Sequence, residues 1–183
     1  ATLSASESRL SSIIRVAPVG IGLVSNRVIL DVNNRLCEML GYSPEELIGK
    51  DARLLYPSDE DYEYVGREKY DQIRTSGTGT VETRWRRKDG EILHILLSST
   101  PLNPHDLSLG VTFTALDITA RKRAEVDLLR RLNSERLIAE ITSGLLQLTY
   151  EEIDAGITAA LQKVGEFAEA DRAYLFLYDE GDA

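Results

Sequence analysis

"GVTFTALDITARKRAE", residues 110–125, changes character in its middle. The first half alternates as a strand does, with Val111, Phe113 and Ala115 on one side and Thr112, Thr114 and Leu116 on the other. The second half is charged and free of Gly and Pro, as a solvated helix is. Asp117, Ile118 and Thr119 stand between them, with no room for a loop. A strand that passes straight into a helix ties helix direction to sheet geometry. Asp117 or Thr119 is the expected acceptor for the first free N–H groups of that helix, and such a bond fixes its exit angle.

Working outward, the strand before the junction is the last of three. "TVETRWRR" alternates Val81, Thr83 and Trp85 against Glu82, Arg84 and Arg86. Asp89-Gly90 signals a tight hairpin, and "EILHILLSSTPL" returns antiparallel. Further upstream, "GIGLVS" and "RVILDV" form a second hairpin candidate. Three helices are expected between the two groups of strands. Asn33 caps "NRLCEMLGY", which Gly41 ends. Ser43, Pro44 and Glu46 form a full capping box for a short helix that Gly49 ends. Ser58 caps a longer helix with acids at 59–61, which Gly77 closes. Two strands, small helices and a three-stranded meander make an α+β fold with an antiparallel sheet.

Beyond Thr119 the pattern stays helical to about Leu148, with Ile138, Ile141, Leu145 and Leu148 stepping as an a/d seam and Val126, Leu129 and Leu132 as a thinner stripe. If continuous, this helix of ~30 residues spans roughly 45 Å. A further amphipathic helix follows, then a strand-like run, "RAYLFLY". A lone strand leaves its ladder groups unpaired, so the chain is expected to be cut inside a second domain of a longer protein. At the other end, Leu10, Ile13 and Ile14 predict an amphipathic helix within residues 1–17.

The chain has 183 residues, 43% of them hydrophobic, which suffices for one full domain and a smaller one. Its net charge of −9 opposes binding to phosphate backbones and anionic lipid, so neither nucleic acid nor membrane is an expected partner. No apolar run approaches the ~20 residues that span a bilayer. The single cysteine, Cys37, excludes an intrachain disulfide and fits a reducing compartment, so a cytoplasmic location is expected.

The block from about residue 12 to 125 resembles a PAS domain of the bacterial signalling type. The residues that carry the resemblance are "APVGIGLV", "DVNNRLCEMLGYSPEELIGKD", "RWRRKDGEI" and "TALDITARKRAE". The resemblance implies a five-stranded antiparallel sheet with small helices on one face and a cavity between them. It places the sensor domain at 18–119, with a linker helix over 120–148. From about Ser134 the chain resembles the opening of a GAF domain, whose partial copy is expected over 149–183. PAS followed by GAF is an order found in sensor histidine kinases and in cyclic-di-GMP enzymes.

The candidate site follows from these assignments. Leu23, Met39, Tyr64, Tyr70, Ile73, Trp85, Leu97, Ser99 and Phe113 are the expected pocket residues, with Asp117 and Thr119 relaying a change to the helix. So few inward charges are expected that the ligand is read as neutral or weakly polar. Cys37 lies near Leu36 and Leu40 and reads as a small buried hydrophobe. The long central helix lacks the cysteine of flavin-binding PAS domains and the histidine of haem-binding ones, which argues against covalent flavin and haem. His94 and His105 stand apart from Cys37, without metal-ligand spacing. No phosphate loop or catalytic triad is present, so no enzyme activity is expected in this stretch. The expected function is a sensory module of a cytoplasmic signalling protein, preferably a sensor histidine kinase, dimeric through its helices and coupled to a downstream effector. The rivals are an empty PAS domain used for dimerisation and spacing, and the sensor part of a cyclic-di-GMP cyclase or phosphodiesterase.

Overall fold

The computed structural model describes residues 16–170 together with residues 12, 14, 172 and 174. The helix expected within 1–17 and the strand expected over 172–178 lie largely outside the described residues. The chain divides into two compact units, residues 1–123 and 124–183.

The first unit is a five-stranded antiparallel sheet: β1 (Gly20–Ser25), β2 (Val28–Val32), β3 (Gly79–Arg86), β4 (Ile92–Pro101) and β5 (Val111–Asp117), in spatial order β2-β1-β5-β4-β3. The β1–β2 loop is Asn26-Arg27, both at positive φ. Such a pair matches the twist of the strands it joins. Three helices follow β2: α1 (Asn34–Leu40), α2 (Pro44–Leu47) and α3 (Asp59–Ser76). Each begins where a side-chain oxygen meets free N–H groups. Asn33 accepts from Leu36 N, the Ser43–Glu46 box closes α2, and Ser58 accepts from Asp61 N. Gly41 and Gly77 end α1 and α3 in the left-handed region, which glycine enters without steric cost.

One face of the sheet is buried. Val81, Trp85, Leu93, Ile95, Leu97, Val111, Phe113 and Ala115 alternate with exposed or half-exposed neighbours. Leu36, Leu40, Leu47, Leu55, Val65 and Ile73 meet them from the connecting segments. Burying a large apolar side chain contributes about 1.5–3 kcal/mol each, so this contiguous cluster holds the layers together. Gly79 allows α3 to lie on β3, because a Cβ there would clash with the Lys69 carbonyl oxygen. The edge of β2 is covered by the segment that precedes a 3-10 turn at Ala52–Leu55. Ile29 N donates to Lys50 O, Gly49 N to Ile29 O, and Ala52 N to Arg27 O.

The helix α4 (Thr119–Leu146) begins directly after β5. In the second unit its later turns are accompanied by a 3-10 turn at Tyr150–Glu152 and by α5 (Ile153–Phe167). Gly156 permits close approach to Leu148, and Lys163 Nζ lies 3.9 Å from a Glu140 carboxylate oxygen.

Candidate functional site

Every layer of the first unit sends a residue to one cavity of ≈ 30 Å³. Val24, Ile29, Leu97 and Phe113 form its sheet side, with Trp85 at the end of β3. Leu55 and Tyr56 come from the 3-10 turn and its cap, Val65, Lys69 and Tyr70 from α3, and Arg27 from the β1–β2 turn. This volume admits about one to three water-sized groups, so the interior is nearly filled rather than hollow.

Of the expected pocket residues, Tyr70, Trp85, Leu97 and Phe113 line this cavity. Ile73, Ser99 and Met39 are not on the cavity wall. Ile73 and Ser99 are buried in the core beside it, and Met39 is half-buried against that core. Leu23 belongs to the opposite face, where it borders a groove with Ile21, Val32 and Leu102. The inward positions of β1 are Gly20, Gly22 and Val24. A Cβ at Gly20 would come within 2.6 Å of Leu36 Cδ1, and one at Gly22 would strike the Phe113 ring. Glycine is needed where neighbours fill the space, so the bulky alternate residues turn outward. Tyr64 is 41% exposed, because Val65, Lys69 and Ile73 form the inward stripe of α3 and Tyr64 lies about 100° away from Val65.

Two inward cations overturn the expectation of an uncharged interior. Lys69 is 5% exposed; its amine lies 5.0 Å from the Tyr70 ring centroid, and among the described residues it has no hydrogen bond or ion pair. Burial, then repulsion from Arg27, pulls its amine down to about 8. Arg27 donates to the Tyr62 carbonyl oxygen, and its guanidinium carbon sits 3.2 Å from the Tyr62 ring centroid. Tyr62, Tyr56, Trp85 and Phe113 form a series of edge-to-face ring pairs with centroids 5.4, 6.3 and 6.1 Å apart. Burial pushes the Tyr56 phenol up to about 12, against the pull of the Trp85 indole and Arg27. The indole N–H acts on that phenol, yet it makes no well-formed hydrogen bond among the described residues. Lys69 had a readable signal: it stands four residues from both Val65 and Ile73, on the buried stripe. Arg27 and Tyr56 carried none that was used. The Cys37 thiol is raised by burial and by Glu45, in keeping with its packing role.

The exit from the sheet is bonded on three sides. Asp117 Oδ1 accepts from Thr119 N at 2.8 Å, as expected of the helix cap. Thr119 acts differently: its hydroxyl oxygen accepts from His94 N of β4 at 2.8 Å, while Ile118 N donates to His94 O at 2.8 Å. Arg121 and Lys122 pair with Glu82 of β3 at 2.7 and 2.6 Å, and Arg123 with Glu91 at 3.3 Å. The first turn of α4 is therefore fastened to the two strands that carry Trp85 and Leu97.

Comparison with known proteins agrees with this architecture. Residues 18–120 match the family model described as "PAS domain". The chain is 33% identical over 116 residues to the Sensor protein TdiS of Thauera aromatica, covering 63% of this chain and 21% of that protein. It is 28% identical over 146 residues to the Methyl sulfide methyltransferase-associated sensor of Methanosarcina acetivorans, covering 80% of this chain and 13% of that one. The chain thus spans about a fifth or less of these two relatives. A solved PAS domain from a LuxR-family transcriptional regulator of Burkholderia thailandensis, in complex with ethanol, has a TM-score of 0.55 at 24% identity, over 59% of this chain and 96% of that one. Among the described residues no helix is long and apolar enough to cross a membrane. The chain belongs to the PAS family, and its residues 18–120 form a sensory, non-catalytic domain of signalling proteins.

Proposed function

We propose that the domain binds a small molecule in its core cavity and passes the resulting change through Asp117 and Thr119 into α4. The observation that carries this reading is the placement of both features on the same strands: Leu97 and Phe113 wall the cavity, and β4 and β5 hold the first turn of α4. A ligand that prefers one geometry of these strands shifts the helix by its differential affinity and by no more. The ethanol bound in the Burkholderia relative supports a ligand of only a few heavy atoms. The names of the two curated relatives support a sensor as the parent protein; the favoured effector in this reading is a histidine kinase, with a cyclic-di-GMP enzyme as the alternative. Residues 149–183 are read as the start of a GAF domain. Val126, Leu129 and Leu132, each about half exposed, supply an apolar stripe through which two copies of α4 pair.

The small cavity favours a second reading, a ligand-free PAS domain that dimerises and spaces. Mass spectrometry of small molecules released from the denatured, purified chain separates the two. A stoichiometric compound supports sensing, and its absence, together with no small-molecule effect on thermal unfolding, supports the spacer.

A further inference from the structure

We propose that the core cavity is a site for one small monoanion, of about the size of formate, held between the Arg27 guanidinium and the Lys69 ammonium and accepting a hydrogen bond from Trp85 Nε1–H. The inference rests on the ligand-binding reading above and adds the ligand's charge. Three observations converge. Lys69 is almost wholly buried, and no residue lining the cavity is acidic. An ammonium removed from water without a counter-ion is unstable unless it loses its proton or gains an anion. The second cation, Arg27, lines the same cavity, with its guanidinium engaged by the Tyr62 carbonyl oxygen and ring. Its nearest carboxylate, Glu63, is 4.0 Å away on a side chain that is 71% exposed. Finally, the buried indole N–H of Trp85 makes no well-formed hydrogen bond among the described residues, with the Tyr56 phenol the oxygen that feels it, and buried donors are almost always satisfied by protein, water or ligand.

The chemistry of the walls narrows the class. Arg27 from the β1–β2 turn, Lys69 and Tyr70 from α3, Tyr56 beyond the 3-10 turn and Trp85 from β3 are the lining residues with polar side-chain groups. Val24, Ile29, Leu97 and Phe113 offer none on the sheet side. A carboxylate head with little or no apolar tail fits both sides, and the ≈ 30 Å³ volume limits it to about three heavy atoms. The Lys69 amine, titrating at about 8, keeps its proton at neutral pH and is available to an anion there.

Trp85 is the one tryptophan of the chain, so its indole N–H gives a single NMR resonance from inside the site. The full chain is titrated with sodium formate, acetate, nitrate and chloride at constant ionic strength, balanced with sulfate, and separately with ethanol. The expected result is a saturable downfield shift of that resonance with a monoanion. Affinity should fall about 10–100-fold in Lys69→Met. In the unaltered chain it should decline about tenfold per pH unit above about 8. Formate and acetate against nitrate and chloride distinguish an organic from an inorganic ligand, and either supports the site. The proposal is overturned if no monoanion moves the resonance, or if the shift is independent of pH across that window. The pH series decides the matter even where Lys69→Met fails to fold. A response to ethanol alone overturns the anion while leaving the ligand-binding reading intact, and no response to any of these compounds overturns the anion, the ligand-binding reading itself being decided by the mass spectrometry above.

Discussion

Replacing Thr119 by Val tests whether the junction is part of the sheet. The two side chains have nearly the same shape, so packing at this 6% exposed position is preserved. What is lost is the hydroxyl oxygen that accepts from His94 N at 2.8 Å. The His94 N–H would then be left inside without a partner, at a cost of about 1–3 kcal/mol. For a domain of roughly 100 residues each kcal/mol lowers Tm by about 4–8 °C, so the fall should be roughly 5–20 °C. Thermal unfolding followed by the fluorescence of Trp85 reads the domain from a residue on β3, outside the junction itself. Thr119→Ser is the control: it keeps the oxygen and loses only a methyl group, and it should lie closer to the unaltered chain. If Val and Ser variants melt together, or if Val is the more stable, the Thr119–His94 bond contributes nothing and the reasoning fails.

Other consequences follow from the same geometry. Asp117→Ala removes the acceptor for Thr119 N and should cost about 1 kcal/mol by urea unfolding, with ligand affinity nearly unchanged and signalling by the parent protein weakened. Lys69→Met should raise stability near pH 7. A buried amine whose folded value, about 8, lies below its unfolded one binds fewer protons in the folded state, so the unaltered chain gains about 3 kcal/mol as pH rises from about 8 to 10. The Met variant should lack that rise, whereas above about pH 10 ionisation of the buried phenol of Tyr56 in the unfolded chain lowers the stability of both. Leu97→Ala should cost about 2–5 kcal/mol and Leu23→Ala markedly less, a difference readable in paired denaturant melts. Gly79→Ala should separate α3 from β3, because the obstructing atom is backbone and cannot rotate away; near-native stability of that variant would contradict the close contact.

Much of this fold is legible in the sequence because local chemistry and tertiary structure agree. Asn33, Ser43 and Ser58 mark helix starts by side-chain capping, and Gly41 and Gly77 mark ends by positive φ. Alternation in β3 and β5 gives the facing of Trp85 and Phe113 correctly. Where the reading fails, a neighbour distant in sequence decides. Leu23 looks inward by hydrophobicity, yet Leu36 and Phe113 occupy the space that makes Gly20 and Gly22 the inner residues. Tyr64 looks like a pocket residue by its chemistry, but the register of α3 gives that position to Val65 and Lys69. Charged residues are assigned to solvent by default, which hides Lys69 despite its place on the buried stripe. Thr119 is recognisable as a helix-start residue, while its bond to β4 depends on a strand 25 residues earlier.

The claim on which the account turns is that the first turn of α4 opens only when the sheet opens. Native-state hydrogen exchange at His94, Ile118 and Lys122, compared with Leu97 and Phe113, tests it directly. The account predicts that the junction amides share the opening free energy of the strand amides. Junction amides that exchange freely while Leu97 and Phe113 stay protected would contradict it.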